Sequence, residues 1–153
     1  MMPDPPQLPD QHLLTAYRTT TYRVAAPGRT LRLRIDQHDA QLARLLQAAG
    51  VDCAAVLSAW NPGSQQQPRS ENALRQQALL QDLAGGGFRC LPGTNLSDRR
   101  REGGEDWTEE SVLVLNLALP AAHELAGRYG QHAFLWIDRH AAPRLIVTAA
   151  RVR

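Results

Sequence analysis

Short apolar runs of strand length alternate with segments of helical periodicity along most of this chain. The clearest helix runs from Asp36, its predicted N-cap, to Gly50, and carries an apolar stripe over 42–49. The apolar run 51–59 follows at once and predicts a buried strand. Since this alternation is typical of layered α/β folds, and 153 residues with 43% hydrophobic content suit one core, we expect a single α/β domain. Its mixed sheet should have about six or seven strands with covering helices.

The start of the chain differs in composition from the rest. Residues 1–10 hold four prolines and no apolar signal segment, so we expect a flexible tail in a cytoplasmic protein, followed by one domain over 11–153. Apart from the segments above, the patterns predict helices over 10–18, 70–84 and from Pro120, and strands over 20–25, 31–35, 88–91, 111–117, 133–137 and 144–149.

The composition argues against several classes of function. Apolar runs stop far short of the roughly 18 residues that a membrane helix needs. All 17 basic residues are arginine, but the net charge of +2 is small for a dedicated nucleic-acid binder. Cys53 and Cys90 lie in apolar runs without a partner motif, so we expect reduced, buried thiols. The five histidines lack zinc-binding spacing, and we expect no metal and no cofactor.

A polar turn between the apolar run 51–57 and the helix starting at Ser70 marks the best candidate site. A strand followed by a turn such as Asn61-Pro62-Gly63 and then a helix is where α/β proteins often bind ligands. If strands 51–59 and 88–91 run parallel and strand 111–117 runs antiparallel to them, four polar segments meet at one sheet edge. They contain Asn61 and Ser64, Asn72, Glu109 and Glu110, and Gln131.

Five polar or aromatic residues are predicted to contact a ligand at this edge, and most also have a structural interpretation. Asn61 can close an Asx turn, and Ser64 can lie in an ordinary turn. Trp107 can stack on a base or sugar, or clamp the loop that precedes it. Asn72 follows the helix start without a capping role. Gln131 fits ligand contact and backbone hydrogen bonding equally well.

Glu110 is the predicted general acid or base. Of the two adjacent acids, it directly precedes the apolar run that begins at Ser111, and burial there would raise the pKa of its carboxyl group. The alternative is a solvated strand entrance. No second catalytic group is identifiable, so the sequence does not decide whether the protein is an enzyme.

Several short motifs occur together between Leu13 and Ile146. They are Ala16-Tyr17, Tyr22, Ala59-Trp60-Asn61-Pro62, Glu71-Asn72, Pro92-Gly93, Trp107 with Glu110-Ser111, and Tyr129-Gly130-Gln131 followed by Phe134 and Trp136. In this combination the chain resembles an uncharacterised family of small bacterial proteins with a domain of unknown function. The resemblance implies a recurring fold with recurring polar positions and carries no established activity. The chain departs from it at 99–104, where a short Gly-Asp-Pro turn is more usual.

Three functions from different classes remain open. We favour a small polar or nucleotide-like ligand bound in the cleft. The first alternative is a protein-interaction or regulatory module that uses the predicted 93–107 loop and the hairpin edge 31–35. The weaker alternative is RNA or single-stranded DNA binding through Arg32, Arg34 and Arg99–Arg101, with Trp107 stacking on bases. The sequence leaves the oligomeric state undetermined.

Overall fold

The computed structural model describes residues 11–97 and 107–148, which build one seven-stranded sheet with helices on both faces. The helices are α1 (Gln11–Thr19), α2 (Ala40–Ala49), α3 (Arg69–Gly85) and α4 (Leu119–Arg128). The strands are β1 (Thr20–Ala26), β2 (Arg29–Leu33), β3 (Ala54–Leu57), β4 (Cys90–Ser97), β5 (Trp107–Leu115), β6 (Ala133–Ile137) and β7 (Arg144–Val147). A 3₁₀ turn spans Pro62–Ser64.

The strand order is β2-β1-β4-β5-β3-β6-β7, and every neighbouring pair is antiparallel. The α/β class with about six or seven strands is confirmed. The sheet is antiparallel rather than mixed, because β5 lies between β3 and β4. Those two strands point in the same direction, as expected, but are not hydrogen-bonded neighbours.

Each face of the sheet packs against its own pair of helices. On one face, Leu42 and Leu46 of α2 are buried against alternate strand residues such as Leu113, and Tyr17 of α1 packs against the same cluster. On the other face, α3 and α4 cover the intervening residues, such as Val112. This alternation follows from the period of two along a strand. A β5 residue therefore faces either the α1 and α2 layer or the α3 and α4 layer.

Two helices begin at other residues than predicted. The N-cap of α2 is Asp39, whose Oδ1 accepts a 2.8 Å hydrogen bond from the Leu42 backbone N–H. Asp36, the predicted cap, has a φ of 63° in the preceding turn. The N-cap of α3 is Pro68, and Ser70, the predicted cap, is already inside the helix. Because each of these starts offers more than one capping or turn-forming residue, pattern alone did not select the right one.

The structure shortens the predicted 93–107 loop. β4 continues through Ser97, and β5 begins at Trp107, so residues 93–97 are paired with 107–111 in the sheet. Residues 98–106, which include the three arginines at 99–101, lie outside the described residues, as does the predicted tail at 1–10. The prediction of a long loop was too wide because Pro92 and Gly93 at the start of the segment suggested a turn.

Cys53 and Cys90 are free thiols that are half-buried rather than buried. Cys53 precedes β3, and Cys90 is the first residue of β4. The prediction that both cysteines lie inside strands was therefore wrong. Burial raises the pKa of both thiols. Within the two described segments, no helix has the length and apolar character needed to cross a membrane.

Candidate functional site

One end of the sheet brings together segments that are distant in sequence. β3 ends there at Leu57, while β5 begins there and runs antiparallel to both β3 and β4. β6 is antiparallel to β3 as well, so the turn before it, which holds Gln131, lies at the same end. The antiparallel direction that the sequence analysis assumed for the strand containing Ser111 is thus confirmed.

A cavity of about 910 Å³ lies at this end of the sheet. The structure brings all six predicted site residues into its lining. These are Asn61, Ser64, Asn72, Trp107, Glu110 and Gln131. The lining also contains residues that the sequence analysis did not choose, above all Tyr17, Trp60 and Glu109.

Asn61 holds the turn after β3 in place through both ends of its side chain. Its backbone adopts a left-handed conformation with φ 47°, which asparagine tolerates better than most residues. Its Oδ1 accepts hydrogen bonds from the Gln67 backbone N–H at 3.0 Å and from Asn72 Nδ2 at 2.8 Å. Its Nδ2 donates to Glu109 Oε1 at 2.8 Å. The side chain therefore closes the turn and also links it to β5.

Asn72 is 2% exposed and completes the same network from the first turn of α3. Its Oδ1 accepts a 2.9 Å hydrogen bond from the Asn61 backbone N–H, and its Nδ2 also donates to the Gln67 carbonyl at 3.3 Å. Both ends of the Asn72 amide are thus used within the protein. Its main role in this geometry is to fix the loop that walls the cavity.

Gln131 fastens the turn before β6 to the same loop. Its Nε2 donates to the carbonyl groups of Trp60 at 3.0 Å and Tyr129 at 3.2 Å. The backbone supports this contact, because the Gly63 N–H donates to the Gly130 carbonyl at 2.7 Å. Gly130 has φ +70°, and a Cβ there would lie 2.8 Å from Pro62 Cβ. Only glycine fits this close approach without displacing the loop.

Glu109 is the more covered of the two carboxyl groups that line the cavity. Burial raises its pKa to about 7, although the hydrogen bond from Asn61 opposes this shift. Among the described residues, Asn61 is its one hydrogen-bond donor. A carboxyl group with this pKa is present in both protonation states near neutral pH, so it can donate or accept a proton.

Glu110 is exposed, whereas Glu109 is mostly covered. β5 starts four residues before the predicted strand, so both acids lie within it and point to opposite faces. Glu109 shares the face of Leu113, and Glu110 shares the face of Val112. The sequence analysis chose Glu110 because it adjoins the apolar run, but adjacency in a strand places neighbours on opposite faces.

Next to Glu109, the sheet face that packs against α1 and α2 carries several polar side chains. Asn95 lies directly opposite Glu109 on β4 and opposite Tyr22 on β1, so the three side chains form a row on one face. Asn95 Oδ1, Ser97 Oγ and Ser111 Oγ are buried without a hydrogen-bond partner among the described residues. A second pocket of about 40 Å³, lined by Glu109, Asn95 and Tyr22, opens beside this row.

Three aromatic side chains line the cavity around Glu109. Tyr17 projects from α1, Trp60 from the loop after β3, and Trp107 from the start of β5. Burial raises the pKa of the Tyr17 hydroxyl, a hydrogen bond with the Ser64 side chain lowers it, and the charge of Glu109 raises it further. Trp60 is 9% exposed, and its buried Nε1 has no partner among the described residues.

Sequence reasoning assigned Tyr17 to the core and did not consider Asn95. Tyr17 does pack against the core, and its outer edge lines the cavity. Asn95 fell in the segment predicted to be a loop. The alternating pattern of Trp107, Glu109 and Ser111 could have indicated a shared face, had β5 been extended toward its N-terminus.

The hairpin arginines of the alternative functions, Arg32 and Arg34, are not part of the cavity lining. β2, the predicted hairpin edge, is an edge strand, and Arg32 on it is exposed. Arg34 is partly covered and donates to Thr21 Oγ1 at 3.3 Å and to the Arg18 carbonyl at 3.4 Å. Within residues 11–97 and 107–148, no group of three or more histidine, cysteine, aspartate or glutamate side chains is arranged to hold a metal ion.

Comparison with known proteins identifies a family without an assigned activity. The family model described as "Protein of unknown function (DUF3293)" matches residues 57–134. This segment contains the whole loop after β3, α3, and the six predicted site residues, together with Glu109. No curated protein and no solved structure matches the chain. Since the match spans just over half of the 153 residues, the chain belongs to the DUF3293 family, a family defined by a domain of unknown function.

Proposed function

We propose that the cavity at the end of the sheet binds a small polar organic molecule and that Glu109 recognises it. The observation that carries this proposal is a largely buried carboxyl group that faces a cavity of about 910 Å³ and has one hydrogen-bond donor in the described protein. Buried polar groups that lack protein partners are commonly satisfied by a ligand or by water. A concave site with a few convergent polar groups is the usual form of a ligand pocket.

The loop around the cavity is held in place by hydrogen bonds. Asn61, Asn72 and Gln131 use their amides to hold the surrounding loop. A ligand would therefore meet a site that is already formed, which lowers the entropy lost on binding. The aromatic rings of Tyr17 and Trp107 offer flat apolar surfaces, which suit a nucleotide-like ligand as well as other small molecules.

An enzymatic role would move the general acid or base from Glu110 to Glu109. The pKa of about 7 at Glu109 suits proton transfer at neutral pH. In the described part of the chain, no group of three or more histidine, cysteine, aspartate or glutamate side chains is arranged to hold a metal ion. We therefore propose ligand binding and not catalysis. Proton transfer by Glu109 would be an additional step, which could be tested once a bound substrate is known.

A reducing compartment fits the state of the two thiols. Cys53 and Cys90 are not joined to each other, and free thiols are typical of cytoplasmic proteins. We therefore keep the cytoplasm as the proposed location. Mass spectrometry of the protein from its native cells after alkylation would detect both cysteines as free thiols, and oxidised thiols would contradict this location.

A thermal-shift screen with pooled metabolites and nucleotides tests the binding proposal. A ligand that binds only the folded protein stabilises it by RT ln(1 + [L]/Kd), so its melting temperature rises with the logarithm of the ligand concentration once this exceeds Kd. Glu109→Gln should lose most of the shift caused by a hit compound. Glu124→Gln is the matched control, because Glu124 is an exposed glutamate on α4 outside the cavity.

Two results would contradict the proposal. The first is a screen in which no compound stabilises the wild type. The second is a hit that stabilises wild type and Glu109→Gln equally, because Glu109 would then not contribute to recognition. A hit that fails only with Glu109→Gln supports the proposal and identifies the ligand class directly.

A further inference from the structure

We propose that the ligand carries an ammonium or guanidinium group, and that this cation binds against Glu109 between the aromatic side chains of the cavity. This inference rests on the proposed function and names the chemical class of the ligand. It depends on three features of the site: acceptors without donors, the absence of a protein cation beside Glu109 among the described residues, and the aromatic lining.

Two hydrogen-bond acceptors on this face of the sheet have no donor among the described residues. Glu109 accepts from Asn61 through Oε1, and no described residue donates to its second oxygen. Asn95, opposite Glu109 on β4, is 8% exposed, and its buried Oδ1 lacks a described partner. Ammonium and guanidinium groups are donors only, and each offers at least three N–H bonds. A cationic head group at Glu109 therefore brings N–H donors to the place where the main cavity adjoins the small pocket that Asn95 and Glu109 line together.

No described cation neutralises Glu109. The ion pairs among the described residues do not include it. Burial raises the pKa of the Tyr17 hydroxyl on α1 and of the Tyr22 hydroxyl on β1, and the charge of Glu109 raises both further. Arg69 at the start of α3 lines the cavity but is exposed. A partly buried carboxylate without a counterion is poorly stabilised, and a cationic ligand would supply that counterion.

The aromatic lining adds a second attraction for the same charge. Tyr17, Trp60 and Trp107 line the cavity together with Glu109. The face of an aromatic ring attracts a cation, and this attraction strengthens when water is excluded. An anionic head group in the same position would face both the carboxylate and the negative ring faces. The site therefore favours cations over anions through two independent contacts.

Two residues of the cavity lining, Trp60 and Arg69, also carry hydrogen-bond donors. Trp60 Nε1 is a buried donor without a described partner, and Arg69 lies at the cavity wall as a further donor. An acceptor on the ligand, away from its cationic head, would satisfy them. We therefore expect the ligand to carry a hydrogen-bond acceptor in addition to its cationic head group.

Matched small probes can test the charge requirement. We would titrate the full-length protein at pH 8 with n-butylammonium, its neutral counterpart 1-butanol and the anion n-butyrate, and with methylguanidinium against neutral N-methylurea. Affinities would come from two-dimensional NMR titrations that follow the indole N–H signals of Trp60 and Trp107. We expect each cation to bind at least tenfold more tightly than its neutral counterpart.

Three variants separate charge recognition from general effects on the fold. Glu109→Gln keeps the acceptor for Asn61 and should abolish the cation preference while the neutral probes bind as before. Trp107→Leu should weaken the cations several-fold. Glu124→Gln on α4 should change nothing. NMR spectra of each variant verify that it is folded. Lowering the pH of the wild-type protein below about 7 should weaken the cations alone, as Glu109 takes up a proton.

The outcomes distinguish this inference from the broader proposal. Neutral probes or butyrate that bind as tightly as the cations, with signals of Trp60 or Trp107 shifting, would overturn the cation inference while binding in the cavity stands. A cation preference that survives in Glu109→Gln would also overturn it. If none of the probes shifts either indole signal and the metabolite screen also yields no hit, both proposals are wrong.

Discussion

Asn61 Nδ2 donates a 2.8 Å hydrogen bond to Glu109 Oε1, which joins the loop after β3 to the first residues of β5. The two residues are 48 positions apart in sequence. The same Asn61 side chain also binds Asn72 and the Gln67 backbone. One side chain, that of Asn61, therefore holds both the loop beside the cavity and the Glu109 carboxyl group inside it. Changes at either residue should affect both the stability and the chemistry of the site.

Glu109 should make stability depend on pH near neutrality. Its pKa of about 7 lies above the ordinary value of 4.5, so protonation favours the folded state. Its contribution is complete below about pH 4.5, is lost as the pH rises, and is absent above about pH 7. Glu109→Gln cannot titrate and should remove this dependence. At pH 8 the variant should be more stable than the wild type, by up to about 3 kcal/mol.

Urea unfolding of both proteins between pH 5 and pH 8.5 measures this effect. Glu110→Gln is the internal control, because Glu110 is the adjacent acid on the same strand but is exposed. At every pH in this range, the unfolding free energy of Glu110→Gln should differ from that of the wild type by less than about 0.5 kcal/mol. If Glu109→Gln is instead destabilised at pH 8, the carboxylate has an attractive partner and the basis for a cationic ligand disappears.

Asn72→Ala should destabilise the protein by about 2 to 3 kcal/mol, because the buried amide makes three hydrogen bonds to the loop and their partners would be left unsatisfied. Gln77→Ala, at an exposed position of the same helix, should change stability by less than about 0.5 kcal/mol. Chemical unfolding gives both values. Similar values for the two variants would mean that the Asn72 network contributes little.

Gly130→Ala should be more harmful than Gly63→Ala. Both glycines have positive φ, +70° and +67°, so alanine is strained at either position by about 1 to 2 kcal/mol. Only at Gly130 would the new Cβ clash, 2.8 Å from Pro62 Cβ, whereas Gly63 has open space. The clash should add about 1 to 3 kcal/mol. Thermal unfolding of the two variants measures the cost of the clash as the difference between their losses of stability. Equal losses of stability would argue against close packing of the two turns.

Cys53 and Cys90 should react slowly with thiol reagents in the native protein. Burial raises the pKa of both thiols, so less thiolate is present at neutral pH than for a free cysteine. Both are half-buried, so they should be labelled completely without unfolding, at rates that increase with pH. The rate of labelling by a disulfide reagent, compared with that of free cysteine, is the measurement. Labelling as fast as free cysteine in the folded protein would contradict it.

The sequence by itself predicted the class of the fold and the region of the site. Spacing and length were sufficient for this, because a buried strand or an amphipathic helix carries its pattern locally. The stripe at 42–49 identified α2, and 133–137 identified β6 with the observed bounds. The directions of β3, β4 and β5 were assumed from the sequence, and the structure has them in those directions, with Asn61 and Gln131 at the same end of the sheet.

Only the tertiary structure decided which of the two acids that line the cavity is largely covered. Both faces of β5 are covered by helices, so its apolar residues alternate between two cores, and local sequence does not show which face holds the cavity. That choice depends on α1, whose Tyr17 lies more than 90 residues before Glu109 and packs on one face only. The pairing of Asn95 with Glu109 likewise depends on the register of β4 against β5. Burial and register arise from contacts between distant segments, and a one-residue shift in a strand exchanges the two faces.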